Sequence, residues 1–123
     1  MFDGTRFIVS WTFGSGSGSD VYAARFTADS TGITPLDPTG VAIAKSPDSE
    51  SDPTLVVAGG QVLVAWATFA SWTSGEIRGS RLKVDGTALS MLDPGGVAIA
   101  SGGTVPRYTP AAATDGKDVL VAW

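Results

Sequence analysis

Two residue types are missing from this chain, whose 123 residues include no cysteine and no histidine. Without cysteine the chain forms no disulfide and no thiolate metal site. Without histidine it lacks the commonest general base, the commonest metal ligand and the Ser-His and Cys-His nucleophile pairs. Chemistry is left to carboxylates, lysine, arginine, tyrosine and hydroxyls, so we expect no cofactor and no enzymatic activity.

Positive charge is also scarce, since 8 Lys and Arg face 12 Asp and Glu for a net charge of −4. A phosphate backbone or an anionic membrane surface is therefore an unfavoured partner. The most apolar stretch, residues 55–70, is interrupted by Gly59, Gly60 and Gln61 and is too short to span a bilayer. The segment Met1–Arg6 does not have the pattern of a secretory signal.

Glycine and proline are frequent, with 16 and 7 copies in a chain that is 43% hydrophobic. Such frequent interruption favours many short strands joined by turns. No segment carries a sustained helical period of apolar residues with capping signals. The sequence therefore predicts an all-β fold.

An internal repeat of about 55 residues organises the chain. Three apolar segments each follow a Gly-Gly or Asp-Gly pair and end in a tryptophan: Trp11, Trp66 and Trp123, which are 55 and 57 residues apart. Two further motifs recur at a spacing of 56, the first as Asp20–Phe26 and Glu76–Leu82, the second as Leu36–Ala44 and Leu92–Ala100. Several motifs in a fixed order at one spacing are a strong signal of repeat architecture.

The repeat predicts one continuous array, 1–123, in three parts: a partial first unit 1–52, a complete second unit 53–109 and the first hairpin of a third unit 110–123. In the second unit we expect four strands: Pro53–Ala58, Val62–Ala67, Glu76–Val84 and Val97–Ala100. Gly59-Gly60 and Asp115-Gly116 predict tight hairpins, because primed turns need positive φ angles.

These motifs resemble the repeats of bacterial β-propeller proteins, and the resemblance covers nearly the whole chain. It implies antiparallel four-stranded blades packed around an axis, and it suggests an extracellular or cell-surface location. A β-solenoid and a two-sheet sandwich are the alternatives. A period near 55 is long for a solenoid coil, and a sandwich does not require tryptophans matched at one spacing.

Two blades would leave apolar faces and strand edges uncovered, whereas propellers close with four to eight. We therefore expect the chain to self-assemble into a closed homo-oligomeric ring. Three copies would give six blades, and four copies would give eight.

The residues that repeat are expected to be structural. Trp11, Trp66 and Trp123 are predicted to pack between blades. Arg25 and Arg81 are predicted to donate hydrogen bonds to carbonyls of a neighbouring blade or turn.

Residues that break the repeat are better candidates for ligand contact. Phe69, Trp72, Arg107 and Tyr108 lie in predicted loops on one face, and Trp72 aligns with Ser17 of the first unit. They predict a non-enzymatic module that binds carbohydrate or protein through this loop face, although Trp72 could equally fold back on its own blade or contact another subunit. The alternatives are a purely structural assembly unit and a glycan-acting hydrolase with a site at the ring axis.

Asp48, Glu50 and Asp52 alternate in one loop and are a weak candidate for calcium. The Asp-x-Asp-x-Asp-Gly pattern of known calcium loops is absent, and the second unit lacks these acids. A solvated acidic loop is the favoured interpretation, so we predict no metal site.

Overall fold

The computed structural model describes residues 1–14, 18–71 and 73–123, and over these ranges the regular structure is β-strand in antiparallel sheets. Two sheets follow the first and second repeat units, and a separate hairpin follows them. Across the same ranges, the structure contains no helix with the length and apolar character needed to cross a membrane. The predicted all-β, antiparallel architecture is confirmed.

The first sheet contains four strands: β1 (Phe7–Phe13), β2 (Asp20–Asp29), β3 (Gly32–Pro35) and β4 (Val41–Ala44). Strand β1 pairs along one edge of β2, and both β3 and β4 pair with its other edge. The turn at residues 36–40 thus divides one edge strand into two pieces.

The second sheet repeats this arrangement and adds a strand at its near edge. It contains β5 (Ser49–Ala58), β6 (Gln61–Ser71), β7 (Ser74–Lys83), β8 (Ser90–Met91) and β9 (Val97–Ala100). Its strand order is β5-β6-β7, with β8 and β9 on the far edge of β7. Strand β8 was not expected from the sequence.

Strand β5 begins four residues before the predicted start at Pro53. Its pairing with β6 shifts between Ser51 and Thr54, and Asp52 has a φ of 52°. A bulge here accommodates the missing N–H of Pro53 and lets the strand continue on both sides. Proline therefore marks a bulge inside the strand and not its beginning.

The last hairpin joins β10 (Ala111–Thr114) to β11 (Val119–Ala122). The tight turn at Gly59 and Gly60 is present, with φ angles of 55° and 75°. The expected tight turn at Asp115-Gly116 is wrong, because residues 115–118 form a four-residue loop in which only Gly116 has positive φ. The Asp115 carboxylate accepts the two backbone N–H groups that close this loop, at 2.8 and 2.9 Å.

The core lies between the two sheets. Alternation along β6 directs Val62, Val64 and Trp66 toward the first sheet, where they join Ile8, Val21, Ala23 and Ile43 in one buried cluster. On the opposite side of the second sheet, Val119 and Val121 of β11 face Leu63, Val97 and Ile99 across a gap of about 490 Å³. Val119 and Val121 are the repeat equivalents of Val62 and Val64. The hairpin therefore faces the second sheet as the second sheet faces the first.

A buried arginine connects the sheets. The Arg25 side chain is 2% exposed, and its guanidinium holds Asp37 through two parallel contacts of 2.7 and 2.9 Å. Its remaining donors reach the carbonyls of Val84, Gly86 and Thr87, in the loop that follows β7. The hydrogen bonds from Arg25 hold the pKa of Asp37 below its usual range.

Arg81 and Asp93 repeat this pair in the second sheet, with contacts of 2.9 and 2.7 Å and an Arg81 side chain that is 51% exposed. They provide a matched test of burial. We expect Asp37→Ala to lower the free energy of unfolding by about 3 kcal/mol, because it leaves a guanidinium buried without its counter-ion. We expect Asp93→Ala to lower it much less, because water can solvate Arg81. Urea denaturation of both variants measures the difference, and equal losses would contradict the assignment.

The acid limb of the stability curve gives a second readout of the same pair. Because the folded pKa of Asp37 is lowered, its contribution to stability is complete above the usual carboxyl pKa of about 4. That contribution is lost as pH falls through the folded pKa. The stability of Asp37→Ala should therefore depend less on pH below pH 4 than that of the native chain.

Candidate functional site

Four connections meet at one end of the sheets, which we call the loop end: those between β1 and β2, β4 and β5, β6 and β7, and β9 and β10. Ser19 accepts the backbone N–H of Glu50 at 2.8 Å, and Thr12 Oγ1 accepts that of Asp52 at 3.2 Å. On the other side, Arg107 donates to the Gly75 carbonyl at 3.2 Å. Hydrogen bonds therefore join the β1–β2 region to the β4–β5 region, and the β6–β7 region to the β9–β10 connection.

Three of the four predicted ligand residues lie close together at the loop end. The rings of Phe69 and Tyr108 stack with centroids 5.0 Å apart, and Arg107 lies against Gly75. Trp72, the fourth candidate, lies outside the described residues. Trp123 lines a groove of about 420 Å³ with Arg107 and Tyr108, and it is 55% exposed. We call Phe69, Tyr108 and Trp123 the aromatic ledge.

A larger cavity opens beside the ledge, between the two sheets. This inter-sheet cleft has a volume of about 650 Å³. The first sheet and its following loop supply one wall, residues 42–46, and the second sheet supplies the other, through Glu50, Trp66, Thr68, Glu76 and Arg78. Gly75 lines the cleft and contacts Phe69 and Arg107, so the cleft and the ledge lie at the same end of the second sheet. They lie toward its opposite faces, because Thr68 and Phe69 are consecutive residues of β6.

Strand register explains how polar groups gather on the second wall. Glu50 pairs with Thr68 across β5 and β6, and Thr68 pairs with Glu76 across β6 and β7. Directly opposed residues share a face of a sheet, so these three form a row across it, which we call the polar row. Trp66 and Arg78 pair in the next row of the same face, two residues away.

The cleft contains unsatisfied hydrogen-bonding atoms. Among the described residues, three buried side-chain atoms have no hydrogen-bond partner: Glu50 Oε2, Trp66 Nε1 and Thr68 Oγ1. All three residues line the same cleft. Buried polar groups in folded proteins are almost always paired with protein or ordered water, so these three atoms mark a place that can accept water or the hydroxyls of a ligand.

Glu50 is the most buried acid of the cleft, at 2% exposed. Burial raises the pKa of its carboxyl, and a Ser46 hydroxyl donating to Oε1 opposes that shift. On β7, Arg78 holds Glu76 at 3.0 Å and donates to the carbonyls of the turn before β9. The cleft therefore carries paired charge at its rim and an unpaired acceptor deeper inside.

The weak calcium candidate is not supported. Glu50 is buried whereas Asp52 is exposed, because the bulge at Asp52 breaks the alternation that would place both on one face. In the described part of the chain, no three acidic side chains gather into a group that could hold a metal ion.

The matched residues occupy different environments. Trp66 lies between the sheets, but Trp11 is half-buried and stacks on Tyr22 with centroids 6.0 Å apart, and Trp123 is exposed. Within this one chain Trp66 has a sheet on both sides, and the packing of Trp11 and Trp123 between blades stays a prediction for the assembled ring. Arg25 contacts carbonyls beyond its own sheet, and Arg81 contacts Asp93 of its own turn.

The sequence analysis missed the polar row. Thr68 and Arg78 align with Phe13 and Tyr22 of the first unit, so the repeat does not require polar groups there. That exchange of aromatic for polar residues was visible in the sequence, and it was the available signal. What the sequence did not contain is the register that places Glu50 beside Thr68.

Gly96 seats the Trp66 ring. A Cβ atom at Gly96 would lie 2.4 Å from Cη2 of Trp66, whereas one at Gly95 would have no neighbour within 4 Å.

Both glycines have positive φ, of 76° at Gly95 and 70° at Gly96, so both alanine variants carry backbone strain of about 1 kcal/mol. We expect Gly96→Ala to destabilise the chain further and to shift the Trp66 indole N–H resonance. Urea denaturation and heteronuclear NMR compare the variants, and identical behaviour would show that the ring is not held there.

Comparison with protein-family models, with curated proteins and with solved structures finds no match to this chain. Its function is therefore argued from the geometry of the loop end.

Proposed function

We propose that the repeat units are blades of a β-propeller and that the chain is a non-enzymatic module that binds carbohydrate at its loop end. The observation that carries the proposal is the aromatic ledge beside the inter-sheet cleft. Tyr108 and Trp123 expose 46% and 55% of their surface. Aromatic rings offer an apolar face together with a polar edge, which suits a ligand that has C–H faces and hydroxyls.

The shape of the surface favours a sugar chain over a protein. Small-ligand sites are concave, with volumes of about 300–1,000 Å³, and the cleft of about 650 Å³ and the neighbouring groove of about 420 Å³ fall within that range. Protein interfaces usually cover about 800 Å² on each partner, with a packed centre.

The first test is a glycan array followed by calorimetry with the best oligosaccharide. We expect Tyr108→Ala to weaken binding at least tenfold, because it removes one ring of the stacked pair. Trp72→Ala tests the remaining sequence candidate. Ile33→Ala is the matched control, since Ile33 is an exposed apolar residue at the opposite end of the first sheet. Chromatography of the ligand after incubation should show no cleavage.

Two results would contradict this function. A chain that binds no glycan is not a carbohydrate module. Equal weakening by Ile33→Ala and Tyr108→Ala would mean that binding is not located at the loop end.

Self-assembly is the second candidate function, and a different observation favours it. Phe7, Val9 and Trp11 are the counterparts of Val62, Val64 and Trp66, which are in the buried cluster between the sheets. Phe7 and Val9 are 44% and 46% exposed. An apolar strip that repeats a buried one suits a second copy of the same chain, in the closed ring of three or four copies.

Light scattering coupled to size-exclusion chromatography tests the assembly. We expect the native chain to form a trimer or tetramer and Val9→Lys to dissociate it, because the new charge would be desolvated in the interface. Ala88→Lys, at an exposed loop position outside the strip, should leave the ring intact. A folded native monomer would eliminate this proposal.

A further inference from the structure

The repeat does not require a polar residue at Thr68 of the polar row, since the first unit has Phe13 at the matched position. We infer that Glu50, Thr68 and Trp66 form a subsite that binds the hydroxyls of one neutral sugar residue. This inference rests on the carbohydrate-binding function proposed above and names the part of the cleft that recognises the sugar.

The unpaired atoms supply a complete set of hydrogen-bonding types. Glu50 Oε2 is an acceptor, Trp66 Nε1 is a donor, and Thr68 Oγ1 is both. A sugar carries neighbouring hydroxyls, and each of them donates one hydrogen bond and accepts others. Hydroxyl groups therefore match the hydrogen-bonding type of all three atoms, whereas a ligand with acceptors alone leaves Glu50 unpaired.

The surrounding charges favour a neutral ligand. Lys45 and Arg78 line the cleft together with Asp48, Glu50 and Glu76. Arg78 is paired with Glu76 at 3.0 Å, and Lys45 lies 3.9 Å from Asp20. Three acids therefore face two cations in this lining and one cation is held in an ion pair, so the charge of the cleft disfavours a phosphate or carboxylate group.

Apolar surface completes the subsite. Ile43 and two alanines of the first sheet line the opposite wall, and the Trp66 ring lies on the second wall. Ile43 and Trp66 are each only 1% exposed. A bound sugar ring therefore meets apolar surface at the exposed Ala42 and Ala70 and directs its hydroxyls toward the polar row. Binding sites for small molecules combine apolar walls and a few placed polar groups in this way.

The first repeat unit argues against a purely structural explanation. Where the second unit has Thr68 and Arg78, the first has Phe13 and Tyr22, whose rings contact each other with centroids 5.8 Å apart. An aromatic pair is thus compatible with the same positions of the sheet. The unpaired hydroxyl of Thr68 at one of these positions weakens the fold unless a partner satisfies it.

The test uses the full ¹⁵N-labelled chain and a panel of neutral methyl glycosides, namely those of glucose, mannose, galactose, xylose and N-acetylglucosamine. Each tryptophan gives one indole N–H resonance, and Trp66→Phe identifies the one that belongs to Trp66. We expect at least one glycoside to shift this resonance more than that of Trp11. Glu50→Gln and Thr68→Val should each weaken that binding at least tenfold.

Matched variants and fold controls separate binding from stability. Asp85→Asn and Thr34→Val make the same chemical changes at exposed positions outside the cleft and should leave the affinity unchanged. The amide spectrum of each variant shows whether it is folded. Thr68→Val keeps the shape of the side chain, so it tests the subsite even if Glu50→Gln fails to fold.

The outcomes distinguish this inference from the function on which it rests. If oligosaccharides bind, and Tyr108→Ala weakens binding while Glu50→Gln and Thr68→Val do not, the subsite is wrong and the carbohydrate function stands. If no glycoside moves the Trp66 resonance, ordered water alone satisfies the polar row and the subsite is again wrong. If no glycan binds at all, both proposals fail.

Discussion

The guanidinium of Arg25 sets the relative position of the two sheets. It is buried, so its donors need acceptors from the protein, and it finds them on both sides of the interface. Within the first sheet, the Asp37 carboxylate accepts two hydrogen bonds from Arg25. Across the interface, carbonyls of the loop that follows β7 accept the others. A planar fork has little freedom to adjust, because its donors point in fixed directions. The hydrophobic effect holds the sheets together but does not depend on direction. The hydrogen bonds of Arg25 do depend on direction, and they select one alignment of the sheets.

The inter-sheet cleft depends on that alignment. Arg25 joins the sheets through the loop after β7, at the end opposite the loop end, and the apolar cluster fills the interface. The cleft lies toward the loop end, where the polar row is. The same face of β6 therefore changes from valine and tryptophan to threonine as it leaves the core. The bulge at Asp52 keeps Glu50 on the inner side of β5 and turns the next acid outward. A bulge thus decides which carboxylate belongs to the cleft.

The sequence was sufficient for most of the strands and insufficient for the site. Motifs matched at one spacing predicted β7 and β9 closely, because each lies between turn residues that repeat. Strand β6 continues four residues beyond its predicted end at Ala67, so Phe69, which was predicted in a loop, lies in the strand. Strand β5 was predicted too short because Pro53 resembles a strand start when the bulge is unknown. The contact between Arg25 and Asp37 was missed because a turn former and a salt-bridge partner look alike in sequence.

The polar row was missed because it depends on register across three strands, which tertiary packing determines. The burial of tryptophans at matched positions depends on which sheets have a neighbour, and this differs among Trp11, Trp66 and Trp123.

The exposed pair of Arg81 and Asp93 has a kinetic and entropic consequence. The arginine is already held at its Nε and one Nη by the turn of its own repeat, in the geometry that Arg25 adopts when buried. An unrestrained arginine loses about 2 kcal/mol of side-chain conformational freedom when it is immobilised. The ion pair with Asp93 already restricts the Arg81 side chain before another surface binds. A surface that offers carbonyls to Arg81 therefore meets a guanidinium in its final orientation. Addition of a further unit against this face therefore requires little rearrangement of the side chain that aligns it, which favours rapid and specific docking.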